Sequence, residues 1–471
     1  SRDRVGQKPL HYYLDNENLI ISSEVKSIFY ILFGNQSRKV NHNYLLSFFN
    51  TGRIQTDISF YENMKKVNPG DVVEFDLNNN VFNLKKKNNQ IQNKNSFKSL
   101  NELEDNLNKS VEQCLRSDRK VAILLSGGVD SSLIAFIAKK YSSNLNFYTA
   151  YSNDKNIKSS YKEDKEYSKY VSRKLGVKLV NVSIDDKKYL NISHLKEMSK
   201  IYDEPINIGG TSLSLNLIYR QISDHGIKVI LDGTGADEIF GGYEQTISQN
   251  LRLAFLSKNL FKVVNAYKEA ISYDFIKANN WFYNSLKALT KSVIYKDLYF
   301  ANVFNQYLKE DVINISLNSE KKNNFNMGNL ISMQKFHIYN GSLQNFLKDA
   351  DNNSMMYSTE ARSPFLDRRL LKYVNIKSKF KFRNHYNKFL LRKILEKYDK
   401  KVAWRKTKAG AMFNKERLIK YNLKKIKELF ANSKILKNYI NIDLAIKKND
   451  YKVFYSSLPI LSLEDAYNLS L

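Results

Sequence analysis

Residues 124–132 of this chain, Leu-Leu-Ser-Gly-Gly-Val-Asp-Ser-Ser, have the types and spacing of a loop that binds phosphate. The apolar run 121–125 predicts a buried parallel strand, and apolar residues at helical spacing predict a helix over 131–141. The loop therefore lies at a helix N-terminus, where unpaired backbone N–H groups and the helix dipole attract anions. Gly127 and Gly128 lack the Cβ atoms that would keep a phosphate away from the backbone.

Asp130 brings a carboxylate to those phosphates, which repel it unless a cation lies between them. The sequence therefore implies a bridging Mg²⁺. The Gly-Lys-Ser/Thr ending of a P-loop is absent, so the usual transfer of a γ-phosphoryl group is not indicated. The loop instead resembles the pyrophosphate loop of ATP pyrophosphatases, enzymes that form an acyl-adenylate and release pyrophosphate. The alternative is a plain glycine-rich turn between a strand and a helix.

A second glycine-rich loop follows another apolar strand, within residues 228–243. In an open parallel sheet both loops would lie at the carboxyl ends of strands, where ligands bind. Asp130 of the first loop and Asp237 of the second could then share one Mg²⁺ on the phosphates. Alternatively, Asp237 and Glu238 form an acidic first helical turn that complements the helix dipole.

Four further segments occur in the order found in glutamine-hydrolysing asparagine synthetases, a family that the chain resembles over nearly its whole length. They are Asp203-Glu204-Pro205, residues 354–367, the basic segment 404–408 (Trp-Arg-Lys-Thr-Lys) and the opening residues 2–10. The resemblance implies that ATP activates the side-chain carboxylate of aspartate as an aspartyl-adenylate, which ammonia then attacks. It implies ATP and Mg²⁺ at the site, and small-molecule substrates that include glutamine or ammonia.

The resemblance also gives roles to single residues of the two loops. Asp130 and Asp237 should hold magnesium and act in catalysis. ATP should contact the strand ends and both loops, through Leu125, Ser126, Gly127, Gly128, Asp130, Ser131, Ser132, Thr149, Asp232 and Gly233.

The sequence indicates the acceptor pocket and the leaving-group site less clearly than the two loops. Glu238, Glu360 and Arg362 are the expected substrate-binding residues, although Glu360 and Arg362 could equally form a salt bridge. Lys406 or Lys408 lies where a basic residue neutralises departing pyrophosphate, whose charge develops only in the transition state. Because 75 Lys and Arg residues are scattered along the chain, composition alone favours a solvated face there.

Two residues of the second loop depart from the family pattern. Asparagine synthetases usually have a carboxylate at the position of Thr234, and the related β-lactam synthetases have a Tyr there. At the position of Asp232, the family usually has a Ser or Thr. A hydroxyl cannot act as a general base near neutral pH. If Thr234 faces the reacting carbonyl, the base must be another group, with Glu360 the first candidate and Glu238 the second.

The order of the patterns predicts an α/β fold, a doubly wound parallel sheet of the ATP pyrophosphatase type with a helical C-terminal part. A partial α+β glutaminase-like domain over 1–85, with two hairpin signals, and a polar linker over 86–97 precede it. The synthetase domain is expected over 98–471 and helical from about 244. Its strands are predicted at 121–125, 146–151, 178–184 and 228–232, alternating with helices.

Composition agrees with a large cytoplasmic enzyme. The net charge of +28 could indicate nucleic acid or an anionic membrane, but Lys, Asn, Ile and Tyr are enriched everywhere and no basic stripe stands out. We therefore expect neither partner, while a homodimer is compatible with the sequence. Cys114, the only cysteine, lies on a predicted helix and suits packing better than nucleophilic catalysis. No apolar run has the length of a membrane span.

The start of the chain differs most from the family, whose glutaminase domain begins with a nucleophilic Cys activated by its own α-amine. This chain opens with Ser1 and enters the family pattern inside that domain. Either the chain is a fragment, which we favour, or the protein uses free ammonia or a separate glutaminase. In both cases we expect no glutaminase activity from this chain.

Three functions follow from these patterns. The first is an ATP-dependent ligase that makes asparagine from aspartate, with nitrogen from glutamine or ammonia. The second is an adenylating amide or lactam synthetase acting on another carboxylate, such as a surface sugar or a peptide. The third is a catalytically idle, basic scaffold or nucleic-acid-binding protein that keeps the fold.

Overall fold

The computed structural model describes most of the chain. The described residues are 1–34, 36–51, 58–76, 81–85, 91, 97–152, 159–184, 190–206, 208, 212–257, 259–294, 303–304, 306–310, 312, 330–406 and 415–471. Among these residues, no helix combines the length and the apolar character that crossing a membrane requires.

The strands and helices of the described residues alternate in the middle of the chain and become mainly helical later. The strands are β1 (His11–Leu14), β2 (Leu19–Ser22), β3 (Arg38–Lys39), β4 (Met64–Lys66), β5 (Val72–Asp76), β6 (Val81–Lys85), β7 (Val121–Leu124), β8 (Leu145–Tyr151), β9 (Leu179–Ser183), β10 (Val229–Leu231), β11 (Glu360–Arg362) and β12 (Leu469–Ser470). The helices are α1 (Val25–Phe33), α2 (His42–Thr51), α3 (Leu100–Leu115), α4 (Val129–Tyr141), α5 (Ser159–Lys174), α6 (Ile192–Tyr202), α7 (Ser212–Asp224), α8 (Ala236–Phe240), α9 (Glu244–Leu256), α10 (Leu260–Tyr273), α11 (Phe275–Ile294), α12 (Leu330–Tyr339), α13 (Ser342–Met356), α14 (Arg368–Leu371), α15 (Phe389–Glu396), α16 (Lys400–Ala403), α17 (Lys415–Asn432), α18 (Ile442–Lys447) and α19 (Tyr451–Ala466).

A five-stranded sheet, parallel throughout, lies at the centre of the larger part of the chain. Its spatial order is β11-β10-β7-β8-β9. From β7 the chain winds outward through β8 to β9, and it then returns to place β10 and β11 on the other side of β7. The fold is therefore the doubly wound α/β fold that the sequence predicted. The winding direction reverses between β7 and β10, and open sheets bind ligands in the crevice at that point.

Alternate residues of β7 belong to two different hydrophobic cores, one on each face of the sheet. Ile123 is buried in the same core as Leu133 of α4, whereas Ala122 is buried in the same core as Tyr148 of β8 and Ile218 of α7. Successive side chains of a strand point to opposite faces, so both faces of the sheet are covered. This explains why the strands appear in the sequence as continuous apolar runs.

The observed ends of β7, β8, β9 and β10 agree with the predicted strands to within one residue. In contrast, β11 lies in the part of the chain where only helical periodicity was expected. It has three residues, too few to show an alternating pattern, and its pairing with β10 specifies it. In the predicted linker only Ile91 and Phe97 are described, and Ile91 N–H donates to the Tyr339 hydroxyl at 3.0 Å.

The N-terminal strands β2, β1 and β4 form an antiparallel sheet, and β5 pairs with β6 as a hairpin. The loop at 78–80 lies outside the described residues. Leu45 and Phe49 of α2 are buried in one core with Met198 of α6 and with Phe430 and Phe454 of the C-terminal helices. β3 also pairs with β12. The first and last parts of the described chain therefore share one hydrophobic core.

Buried ion pairs join the N-terminal part to α6 and α13. Glu204, two residues after α6, has one carboxylate oxygen 2.6 Å from Lys66 Nζ and the other 2.8 Å from Lys348 Nζ. Burial alone would raise the pKa of Glu204, but the ammonium groups of Lys348 and Lys66 outweigh burial and hold that pKa well below its usual range. The Asp-Glu-Pro segment of the sequence therefore supplies an ionic contact between the two parts of the chain.

Replacing Glu204 with Gln should lower the free energy of unfolding by about 3 kcal/mol, because two buried ammonium groups lose their shared partner. Urea denaturation at several pH values measures this loss. The folded pKa of Glu204 is lowered, so its contribution is present above the unfolded pKa of about 4.3 and is lost as the pH falls through the folded pKa. The difference between the variant and the wild type should therefore shrink in acid.

Glu62→Gln is the matched control for this prediction, because it breaks only an exposed pair with Lys39. Its cost should stay below about 1 kcal/mol. Equal losses in the two variants at neutral pH would contradict a stabilising role for the buried pairs.

Candidate active site

The loop after β7 turns tightly onto the N-terminus of α4. Gly127 has φ +74°, and a Cβ built on it would lie 2.5 Å from the backbone N of Ser168. Ser126 N–H donates to Ser131 Oγ at 3.2 Å, and the two hydroxyl oxygens are 3.0 Å apart. Gly128 is the N-cap of α4. The loop therefore presents the N-terminal N–H groups of α4 at the carboxyl end of the sheet, as anion binding requires.

The loop after β10 packs directly against the first loop. A Cβ on Gly233 would lie 3.1 Å from Cβ of Asp130. The buried Asp232 accepts hydrogen bonds from Thr234 N–H at 3.0 Å and from the Ser363 hydroxyl at 2.7 Å, both on Oδ1. Burial raises the pKa of Asp232. Asp232, which sequence reasoning gave to ATP, thus also fixes the shape of the loop through its own hydrogen bonds.

The three residues expected to line the nucleotide lie level with one another on adjacent strands. The registers of β7 with β8 and with β10 bring Leu125, Thr149 and Gly233 to the same height, at the carboxyl end of the sheet. Leu125 N–H donates to Tyr148 O at 2.8 Å, which extends the strand pairing to the edge of the loop. The structure therefore brings these three residues together beside the crevice.

Two carboxylates, one from each loop, converge on a single buried ammonium group. Lys388 Nζ lies 2.5 Å from Asp130 Oδ2 and 2.6 Å from Asp237 Oδ1, and the Lys388 side chain is 3% exposed. Gly242 makes room for this arrangement, since a Cβ there would lie 1.5 Å from Asp237 Oδ1. The structure thus brings Asp130 and Asp237 to one cation, and that cation is a lysine of this chain, whereas the sequence analysis expected a magnesium ion between them.

Sequence reasoning did not single out Lys388. Lys388 is the N-cap of α15 and has φ +50°, a left-handed conformation that side chains rarely adopt. Tertiary contacts hold the preceding turn, since Asn387 Nδ2–H donates to Gly242 O at 2.7 Å. These contacts join segments about 145 positions apart, and no local pattern in the sequence reports them.

The same two carboxylates fit a magnesium ion on bound phosphates. Mg²⁺ is usually held by one or two carboxylates together with substrate phosphates and water. Asp130 and Asp237 supply that number from two sides of the crevice. Within the ranges that the structure describes, no three His, Cys, Asp or Glu side chains cluster closely enough to hold a metal by themselves. A divalent cation between the carboxylates would compete with the Lys388 ammonium.

Glu238 follows Asp237 but is buried among polar side chains. Its Oε1 accepts hydrogen bonds from the Tyr243 hydroxyl at 2.9 Å and from the Ser342 hydroxyl at 3.4 Å. Burial, and then the charge of Asp237, raise the pKa of Glu238 to about 7. The second loop therefore holds a buried carboxyl group that can exchange a proton near neutral pH.

A buried arginine from the basic segment 404–408 reaches the phosphate loop. Arg405 Nη1 donates to Gly127 O at 2.6 Å, and Nη2 pairs with Asp164. Arg392 of α15 donates to the carbonyl oxygen of Arg405 at 2.9 Å and so holds this segment in place. Arg405, which sequence reasoning considered but did not select, is therefore the described basic residue of this segment that contacts the loop. Lys406 is exposed, and Lys408 lies outside the described residues.

Glu360 and Arg362 are the first and last residues of β11, and Arg362 adjoins the second loop, since its carbonyl oxygen accepts a hydrogen bond from Asp232 N–H at 3.1 Å. Glu360 pairs with Val229 at the start of β10, about 16 Å from the phosphate loop at the strand rise of about 3.3 Å per residue. The Arg362 guanidinium binds both carboxylate oxygens of Glu360 at 3.2 Å and also donates to the carbonyl of Cys114 at the end of α3. The two residues form the salt bridge that the sequence left open. The backbone of Arg362 adjoins the second loop, whereas Glu360 lies at the start of its strand.

Cys114 is half-buried on α3, and burial raises the pKa of its thiol to about 11. A thiol with a raised pKa carries little thiolate at neutral pH and is a poor nucleophile. The packing role expected from the sequence agrees with this environment.

Comparison with known proteins gives the family of the chain. A model described as asparagine synthase matches residues 102–442, and one described as glutamine amidotransferase domain matches residues 1–87. The chain belongs to the asparagine synthase family.

The names of the curated relatives describe more than one activity. The chain is 25% identical over 420 residues to asparagine synthetase [glutamine-hydrolyzing] 1 of Bacillus subtilis, covering 84% of this chain and 62% of that protein. It is 28% identical over 284 residues to putative asparagine synthetase [glutamine-hydrolyzing] 1 of Methanocaldococcus jannaschii, covering 58% of this chain and 48% of that protein. It is also 22% identical to the microcin J25-processing protein McjC of Escherichia coli, covering 85% of this chain and 68% of that protein.

The chain thus spans between 48% and 62% of the length of the first two of these relatives. Among solved structures, an NH3-dependent NAD synthetase from Campylobacter jejuni matches with a TM-score of 0.22 and 15% identity over 50% of this chain and 97% of that one. The fold described above rests on the strand order and register of this chain.

Replacing Lys388 with Met should lower the melting temperature in the absence of Mg²⁺, because two neighbouring carboxylates then lose the ammonium group that they share. A loss of about 3 kcal/mol is expected for a buried charge that loses its partner. Millimolar Mg²⁺ should restore much of that loss in the variant and have little effect on the wild type. Calorimetric scans with EDTA and with Mg²⁺ measure both effects.

Lys393→Met is the matched control, because this lysine lies on the same helix and pairs with Glu396 near the surface. Its melting temperature should change little and should not respond to Mg²⁺. If Mg²⁺ stabilises the Lys388 variant no more than this control, the two carboxylates do not form a cation site.

Proposed function

We propose that this protein is an ATP-dependent amide ligase that joins ammonia to a carboxylate through an acyl-adenylate and releases AMP and pyrophosphate. Aspartate, which would give asparagine, is the first acceptor to test. One observation carries the proposal: two carboxylates from two loops meet at one buried cation beside a glycine-rich helix N-terminus. That arrangement suits the phosphates of ATP at the switch point of the sheet.

The charges of the crevice suit cleavage between the α- and β-phosphates of ATP. This cleavage leaves a highly anionic pyrophosphate, and charge that develops in the transition state is stabilised by preorganised cations and N–H groups. Lys388 and the N-terminus of α4 supply these groups, and Arg405 fixes the loop that carries them. Bound Mg²⁺, held by Asp130 and Asp237, would neutralise the phosphates. We place this reaction in the cytoplasm, where ATP and glutamine occur.

The attacking amine must lose a proton as the amide bond forms. Thr234 is neutral, and Glu360 lies at the far end of the sheet, paired with Arg362. Glu238 is buried in the second loop beside Asp237, and its carboxylate is oriented by the Tyr243 hydroxyl. We therefore propose Glu238, the second candidate from the sequence, as the group that accepts this proton.

A different acceptor carboxylate is the second candidate function. The loop of this chain has Asp232 and Thr234 where asparagine synthetases have other residues, and a microcin J25-processing protein is among the relatives. The direct test measures AMP and pyrophosphate from ATP with ammonium ions and either aspartate or other carboxylic acids. Pyrophosphate release that depends on no added carboxylate would count against both candidates.

Replacing Asp130 or Asp237 with Asn should slow pyrophosphate release by at least about 100-fold, because the phosphates lose charge neutralisation in the transition state. Circular dichroism should show that both variants fold, since Asn keeps the size of the side chain. Asp224→Asn, at the exposed end of α7, is the control and should keep wild-type activity. Pyrophosphate release that survives in both loop variants would exclude this site.

Replacing Glu238 with Gln should slow amide formation far more than adenylation, because Gln keeps the hydrogen bond but cannot take a proton. Glu360→Gln should leave both half-reactions near the wild-type rate. Thr234→Ala should raise the activation free energy by about 1 kcal/mol, which is the usual contribution of one hydrogen bond. Pyrophosphate exchange and amide formation are measured separately in each variant, and equal effects of Glu238→Gln on the two would remove Glu238 from the role of base.

A further inference from the structure

An open cleft with aromatic walls lies between α15 and the segment that precedes it. The cleft is partly open to solvent. We call it the aromatic cleft, and its lining residues are Arg383, Asn384, Tyr386, Phe389, Lys393 and Trp404. None of the residues given to ATP, magnesium or the acceptor in the sequence analysis belongs to it.

Three aromatic rings meet in this cleft at steep angles. The ring centroid of Trp404 lies 5.0 Å from that of Tyr386, at an interplanar angle of 71°, and 5.9 Å from that of Phe389, at 54°. Trp404 Nε1–H donates to Glu396 Oε1 at 2.7 Å, which fixes the indole. Rings that meet at such angles form a corner, and an aromatic ring placed in a corner makes edge-to-face and offset contacts with its walls.

The charged groups of the cleft are cations placed over its rings. The Arg383 guanidinium carbon is 5.4 Å from the Phe389 centroid, and Lys393 Nζ is 5.3 Å from the Trp404 centroid. Lys393 also pairs with Glu396 at 2.9 Å. In the described part of the chain, no carboxylate lies within ion-pair distance of the exposed Arg383 guanidinium. The cleft therefore offers one free positive charge beside aromatic walls, which suits an anionic ligand that carries a ring.

The backbone along one wall of the cleft is held in an unfavourable conformation. Asn384, His385 and Lys388 all have positive φ, between 50° and 65°. His385 N–H donates to Tyr273 O at 2.8 Å, and Arg392 Nε–H donates to Asn387 O at 2.7 Å. Strained residues of this kind persist only where surrounding contacts hold them, and such positions cluster at ligand sites.

The cleft is built on the same two chain segments as the cations of the proposed active site. Phe389 directly follows Lys388, and Trp404 directly precedes Arg405. The guanidinium carbon of Arg392, which holds Arg405, lies 5.1 Å from the Tyr386 centroid. The cleft therefore adjoins, along the chain, the lysine that binds Asp130 and Asp237.

We infer that the aromatic cleft binds an aromatic ring that the acceptor carries apart from its reacting carboxylate. This inference rests on the proposed function, which identifies the ligand of the cleft as the acceptor of the ligase. Free aspartate has no ring and would leave the cleft empty, so the inference favours an acceptor larger than a free amino acid. Binding energy from such a remote group can be used at the reacting centre.

A binding experiment tests the cleft without depending on turnover. The chain has two tryptophans, so Trp281→Phe leaves Trp404 as the only fluorescent indole. The probes are N-acetyl-, N-cyclohexanecarbonyl- and N-benzoyl-L-aspartate, which share their charges and differ in the attached group. N-benzoyl-aspartate should quench Trp404 and bind about tenfold more tightly than the N-acetyl compound, with the saturated ring in between.

Tyr386→Leu in the same background should abolish the preference for the benzoyl compound, because an apolar side chain remains but the aromatic wall is lost. Tyr283→Leu, which removes an exposed tyrosine of α11, is the matched control and should keep the preference. Equal affinities of the three probes, or a preference that survives Tyr386→Leu, would overturn the inference.

Pyrophosphate release measured with the same probes separates this inference from the proposed function. If quenching is selective for the aromatic ring but no pyrophosphate is released, the cleft is a binding site and the proposed ligase activity is rejected. Pyrophosphate release with aspartate, together with equal binding of the three probes, would reject the cleft and retain the ligase.

Discussion

The close approach of Asp130 to Asp237 is the constraint on which the rest of this structure depends. Their carboxylate oxygens each lie within 2.6 Å of one nitrogen, so they are at most about 5 Å apart. At an effective dielectric constant of about 20, two charges at this distance repel each other by about 3 kcal/mol. The fold keeps them together by placing a lysine between them, and this requires glycine at position 242 and a left-handed backbone at Lys388.

This constraint also explains why the crevice holds so many basic groups with internal partners. Lys388 and Arg405 come from a stretch of eighteen residues, and Arg392 of the same stretch fixes the second of them. These cations are directed inward by carboxylates and carbonyl oxygens of the two loops. The large positive charge of the chain as a whole therefore says little about the site, because a few buried cations, not the many exposed lysines, set its local potential.

The sequence predicted the parts of the structure that are specified locally. Continuous apolar runs marked β7 to β10, and glycines followed by acidic residues marked both loops, because a strand, a turn and a helix start each have local chemical requirements. The register that sets Leu125 level with Thr149 follows from those strands. β11 could not be predicted, since its three residues form a strand only by pairing with β10.

The residues that sequence reasoning missed or misplaced depend on contacts between distant segments. Lys388 reaches Asp130 across 258 positions, and Arg405 reaches Gly127 across 278. Glu360 was expected in the acceptor pocket, but strand pairing sets it at the start of β11, and the Arg362 side chain forms a salt bridge with it. The types of these residues indicated their chemistry, whereas their positions relative to the two loops depend on the tertiary fold.

The core shared by the first and last parts of the described chain has a consequence for how the protein reaches its native state. Leu45 and Phe454 are buried in the same cluster, and contacts between such distant positions form slowly because a very long loop must close. At about 5–20 residues per second, the ribosome needs on the order of 20–80 s to synthesise the chain between them. During that time Leu45, Phe49 and their neighbours lack the helices that cover them. The N-terminal segment is therefore the part of the nascent chain with the greatest need of a chaperone.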